Sequence, residues 1–169
     1  VMTPQSDAAP ARAALYRSIW RWHFYAGLFV IPFILILSLT GAIYLFKPQI
    51  DRWEERDFRG LSVESSVTPN AQLEAALSAN PGAQFHSYRL PEAAGDAAII
   101  HLALADGHNM RDVYVSPQGK VLGSFDPGER ISAIISRIHG SLMAGRIGDW
   151  LVELAACWTI VLLMSGLFL

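Results

Sequence analysis

Two histidines in this 169-residue chain are attached to apolar stretches. His23 immediately precedes the run Phe24–Phe46. His139 lies at the edge of an apolar face built from Ile131, Ile134, Ile135, Ile138 and Leu142. An ionisable side chain on a membrane-length segment is a functional-site hypothesis by default. Neutral imidazole is a common metal ligand, and two of them make an electron-transferring haem iron. A second reading stays open on the residues alone: both are interfacial histidines with polar tips among lipid headgroups. Arg137 and Arg146 divide in the same way, between pairing with haem propionates and anchoring at headgroups. Ligands on one iron lie about 4 Å apart, each about 2 Å from the metal. His23 and His139 belong at opposite ends of a membrane span of about 30 Å. Two sites at two depths are therefore expected, not one shared site.

The elements that must position these residues follow from composition and patterning. Hydrophobic residues make up 52% of the chain and charged residues 17%, with a net charge of -2. That balance excludes a disordered chain and gives no support for a nucleic-acid partner. The single cysteine, Cys157, excludes an intramolecular disulfide framework and reads as inert packing. Phe24–Phe46 has 23 residues without a charge, about 34 Å as a helix, and aromatic residues flank both ends. It is longer than the apolar region of a signal peptide and ends without a small-x-small cleavage site. We therefore expect a cytoplasmic tail over 1–19, read as disordered, and transmembrane helix 1 over 20–47. Arg12, Arg17 and Arg21 put the N-terminus in the cytoplasm. Gly27, Ser38, Thr40 and Gly41 suit close approach of another helix.

Residues 48–126 change character. Asp51–Arg59 is a dense mixed-charge stretch expected to be helical. Thr68-Pro69 predicts an N-cap with proline at the first helical position, and Asn80-Pro81-Gly82 ends that helix. The period then switches to two over Gln84–Leu90, Ala97–Ala105, Met110–Val115 and Lys120–Phe125, predicting antiparallel strands. A small extracytoplasmic α+β domain results. Its histidines, His86, His101 and His108, have no cysteine or carboxylate at ligand spacing, so a metal site there is the weaker reading.

Asp126-Pro127-Gly128-Glu129 predicts an N-cap and an amphipathic interfacial helix over 127–146. Gly145–Trp150 is expected to break or bend it, and transmembrane helix 2 follows over 148–169. Only 16 residues run from Leu154 to Leu169, about 24 Å. A truncated second span and a longer parent protein are expected. Glu153 reads as a snorkelling carboxylate, and Trp20, Trp22 and Trp150 as belt residues. No G-x-G-x-x-G follows a strand, and no catalytic triad or paired carboxylates are evident, so any activity must rest on a cofactor held by the helices.

Three stretches resemble one family. Val113–Gly123 (VYVSPQGKVLG) is similar to the hairpin of PepSY domains. Arg17–Leu28 with Ser38–Phe46 resembles the opening helix of PepSY-associated transmembrane proteins, and Arg137–Leu154 with Ser165–Leu169 resembles their second helix. The resemblance implies a membrane α-helical plus α+β fold, about half of a four-helix protein, in the bacterial inner membrane with a periplasmic PepSY-like domain. It implies a link to iron uptake and similarity to haem-containing ferric-siderophore reductases. On that resemblance His23 and His139 become expected haem b ligands, with partner ligands elsewhere. Arg137 and Arg146 become cofactor contacts, the substrate an external ferric complex, and the electron donor a quinol or a cytoplasmic reductase. The alternatives are a membrane-anchored binding or regulatory module and an accessory subunit of an iron transporter.

Overall fold

The computed structural model describes residues 8–107 and 109–169. The described residues divide into two compact units, one of 8–44 and 135–169, the other of 45–107 and 109–134.

The first unit is built on two long apolar helices, α1 (Ala8–Tyr44) and α5 (Gly145–Phe168). They pack antiparallel: His23 meets Ser165 and Gly27 faces Leu162, so residue numbers rise along one helix as they fall along the other. Ala26, Val30 and Ala155 are buried, and Trp22 stacks on Trp158 with ring centroids 6.4 Å apart. Elsewhere both helices present large apolar side chains outward; Leu35 is 66% and Leu167 85% exposed. A helix apolar all round needs an apolar surrounding, which a bilayer supplies.

Two boundaries differ from expectation. α1 is helical from the first described residue, Ala8, so residues 8–19 are helical and not a disordered tail, while residues 1–7 of the expected tail lie outside the described residues. Their alanines are the best helix formers. α5 has 24 residues, about 36 Å, because it starts at Gly145. The second apolar helix is therefore long enough to span, contrary to the short span expected from Leu154.

The helix break also falls earlier than expected. α4 (Ile131–Ser141) ends, Leu142 and Met143 take positive φ of 51° and 57°, and Gly145 follows at 56°. Gly148, one turn into α5, packs so closely that a Cβ would lie 1.7 Å from the Ser141 carbonyl oxygen. Only glycine passes there.

The second unit is a four-stranded antiparallel meander, β1 (Gln84–Arg89), β2 (Ala98–Ala103), β3 (Met110–Val115) and β4 (Val121–Phe125), in spatial order β1-β2-β3-β4. α3 (Pro69–Ala79) covers one face, its Thr68 hydroxyl accepting from the Ala71 N–H. Ala76 packs there on Ile100, Leu102, Val113 and Val115, all fully buried. Gln72 adds a polar latch: its amide donates to the Ser116 carbonyl oxygen at 2.9 Å and its Oε1 accepts from the Tyr88 hydroxyl. Alternation sends Ile99, His101, Asp112 and Tyr114 to the opposite face.

α2 (Lys47–Glu54) precedes a short 3₁₀ turn at Arg56–Phe58. Asp126 caps as expected, accepting from the Gly128 N–H at 2.7 Å, but it opens only a 3₁₀ turn, Pro127–Glu129. Arg130 is extended (ψ 144°), which separates that turn from α4 and corrects the single helix expected over 127–146. The first turn of α4 is held by α2: Glu54 accepts from the Ile131 N–H at 3.0 Å and Asp51 from the Ser132 hydroxyl at 2.8 Å.

Candidate functional site

His23 and His139 sit in two separate places of the helical unit. His23, half-buried on α1, has Nδ1 2.8 Å from Ser165 Oγ on α5. His139, exposed near the end of α4, has Nδ1 3.0 Å from Thr40 Oγ1 on α1. Thr40 is itself buried, 7% exposed. About 26 Å of α1 axis separates His23 from the Thr40 level that His139 occupies. The structure therefore does not bring the two imidazoles together.

Each ring also meets a glycine. A Cβ on Gly41 would lie 3.3 Å from His139 Cε1, and a Cβ on Gly166 would lie 3.3 Å from His23 Cε1. Each site thus consists of a ring, a hydroxyl holding Nδ1 and a bare backbone beside Cε1. Of the small residues expected to admit another helix, Gly27, Thr40 and Gly41 do so, whereas Ser38 is exposed. Chemically, each histidine keeps one ring nitrogen outside its hydroxyl contact. That donor set suits axial ligation of haem iron, which takes one imidazole nitrogen and leaves the other to an outer partner.

Of the arginines, Arg146 lies with Cζ 5.7 Å from the Trp150 ring centroid, a cation–π geometry. Arg137 is exposed in α4, where its carbonyl accepts from the Ser141 hydroxyl at 3.0 Å.

The α+β unit carries a second polar constellation that sequence patterning missed. Glu55, 4% exposed, accepts from Arg89 at 2.6 Å and from Arg130 at 2.8 Å, with Arg59 at 3.4 Å. Burial pushes its pKa up. The hydrogen bonds and charges of Arg130 and Arg89 outweigh that, and the net shift is downward. Asp112, 3% exposed, lies 2.6 Å from His101 Nδ1 and 3.8 Å from Arg130 Nε. Arg130 also donates to the Tyr114 hydroxyl. Beside this network Phe58, Tyr114 and Phe125 pack as an aromatic triad with centroids 4.3–5.6 Å apart. With Trp53, Glu54 and Arg130 they line an open groove of about 430 Å³.

Among the described residues no three histidine, cysteine or carboxylate side chains gather as a metal site. His86 is exposed at a bulge in β1, and His101 is engaged with Asp112. His108 lies outside the described residues. The signal for the His101–Asp112 pair was residue parity across β2 and β3, where the two are direct partners in the ladder.

Two antiparallel apolar helices and an intervening helix-covered meander define a membrane protein that carries an α+β domain. The family model for the PepSY-associated TM region matches residues 20–169, and the chain belongs to that family. No curated protein matches the chain.

Proposed function

We propose that the protein is a haem-dependent electron-transfer protein of the bacterial inner membrane that reduces an external ferric complex, such as a ferric siderophore, in iron uptake. The observation that carries this reading is the pair of membrane histidines, each held by a hydroxyl from another helix and each at its own level. Haem b, when bound, supplies one-electron chemistry at its iron. His23 and His139 are the residues of this chain that would hold it, and Arg137 and Arg146 are the arginines that would neutralise its carboxylates. Thr40, Ser165, Gly41 and Gly166 hold the rings in place. Arg12, Arg17 and Arg21, in the N-terminal part of α1 ahead of its uncharged stretch, support a cytoplasmic N-terminus and a periplasmic α+β domain. The donor is a quinol or a cytoplasmic reductase.

The groove on the α+β domain is the place this reading assigns to an external small-molecule substrate. Its volume of about 430 Å³ lies in the range of small-molecule sites, and it combines an aromatic wall with charged groups at its rim.

The test is the absorption spectrum of the full-length protein, purified in detergent after expression with ample haem. A Soret band with sharp reduced α and β bands is expected, weakened in His139→Ala and in His23→Ala. A colourless protein overturns the redox reading and leaves a membrane-anchored binding or regulatory module, or an accessory subunit of an iron transporter.

A further inference from the structure

Thr40 makes three contacts with one hydroxyl proton. Its Oγ1 lies 2.8 Å from the Ile36 carbonyl oxygen, 3.2 Å from that of Leu37 and 3.0 Å from His139 Nδ1. A carbonyl oxygen has no proton to give, so a hydroxyl proton directed into the O···O contacts satisfies them, whereas one directed at the ring leaves the oxygens facing each other unbridged. The first arrangement is the favoured one. The oxygen is then an acceptor toward the ring, and the proton of the third contact comes from His139 Nδ1. Ser165 repeats the arrangement: Oγ lies 2.7 Å from the Val161 carbonyl oxygen, 3.1 Å from that of Leu162 and 2.8 Å from His23 Nδ1.

The pattern is built twice from the same parts. Thr40-Gly41 and Ser165-Gly166 each place a back-bonded hydroxyl and a Cβ-less residue against one imidazole, with the glycine at the same distance from the same ring atom. Both rings belong to an Arg-x-His triplet, Arg21-Trp22-His23 and Arg137-Ile138-His139. Two unrelated packing accidents would not be expected to share donor, acceptor and glycine.

We infer that Thr40 and Ser165 are positioning residues that fix His139 and His23 in the Nδ1–H tautomer and so leave Nε2 as the ligating atom of each. This rests on the haem reading for its purpose and not for its geometry. A ligating imidazole whose other N–H is donated to a fixed acceptor is oriented and made more basic, and loss of such a partner costs about tenfold or more in metal affinity.

The test is ¹⁵N NMR of the histidine rings in the full-length protein, expressed without haem and held at a pH where free imidazole is neutral. His23 and His139 are expected to show protonated Nδ1 and unprotonated Nε2. Thr40→Val should release His139 alone, Ser165→Ala should release His23 alone, and Thr40→Ser should restore the native signals. Wild-type rings protonated at Nε2, or a Thr40→Val variant with unchanged His139 signals, would overturn the inference. In haem-loaded protein Thr40→Val should lower haem affinity about tenfold and raise the midpoint potential of one haem, because a less basic ligand stabilises the oxidised iron less. The two readings fail separately. Native tautomers in a protein that never takes up haem would sink the redox function and leave the positioning intact. Bound haem with Nε2-protonated rings would do the reverse.

Discussion

His139 Nδ1 lies 3.0 Å from Thr40 Oγ1, a contact between residues 99 apart in sequence. It fixes the level of His139 against α1, about 26 Å along that helix from His23. The spacing approaches the hydrocarbon thickness of about 30 Å. The two rings therefore occupy two levels of the helical unit, as the proposed two-site reading needs.

Glu55 is the anchor of the α+β domain's charged network. Glu55→Gln removes one buried negative charge facing Arg89, Arg130 and Arg59. Breaking a buried pair costs about 3 kcal/mol, so the variant should unfold this domain at clearly lower denaturant, read by hydrogen exchange of the β2 and β3 amides. Glu92→Gln is the control. Glu92 is 52% exposed beside Arg59 and should leave that protection unchanged.

Acid should weaken the same domain. Burial raises the pKa of both Glu55 and Asp51, but arginine and lysine partners lower both below their ordinary values of 4.5 and 3.8. A carboxylate depressed in the folded state stabilises fully above its unfolded pKa and loses that contribution as pH falls through the folded value. Sheet amide protection should therefore hold at neutral pH and decline below about pH 4. Glu55→Gln should flatten the decline.

The corner between α4 and α5 holds Met143 at φ 57° with its side chain 59% exposed. A non-glycine residue in the left-handed region costs about 1 kcal/mol, and little burial is lost by removing this side chain. Met143→Gly should raise the thermal midpoint of the detergent-solubilised protein. An unchanged or lowered midpoint would show that the corner is not strained.

Gly41 marks how little room the His139 ring has. A valine there would drive its Cβ to 3.3 Å from Cε1 and push further methyls into the ring. On the proposed haem reading, Gly41→Val should displace His139 and lose a haem held there while retaining one held at His23. Loss of both haems, or of neither, would contradict two independent sites.

Much of the fold was legible from pattern. Met110–Val115 is a strand at the residues its alternation predicts, and Thr68-Pro69 starts α3 as cap and first-turn proline. Local chemistry decides such elements. What was not legible depends on residues far apart in sequence. Thr40 read as a small helix-interface residue and Ser165 only as part of a family-like stretch, and nothing local pairs them with rings 99 and 142 residues away. Arg130 follows a good N-cap signal, yet its pull toward Glu55 and Asp112 holds its backbone extended and postpones the helix. The positive-φ corner at Leu142 and Met143 carries no glycine to announce it. His23 and His139 were recognisable as candidates by residue type and apolar context, whereas the hydroxyl that holds each was not.

A reductive titration of the full-length protein in detergent, followed at the Soret and α bands with His23→Ala and His139→Ala in parallel, decides whether two haem sites exist. Haem is expected in the wild type, titrating in two steps, with a different step lost in each variant. A protein without haem, or one whose haem spectrum survives both substitutions, would contradict the two-site reading.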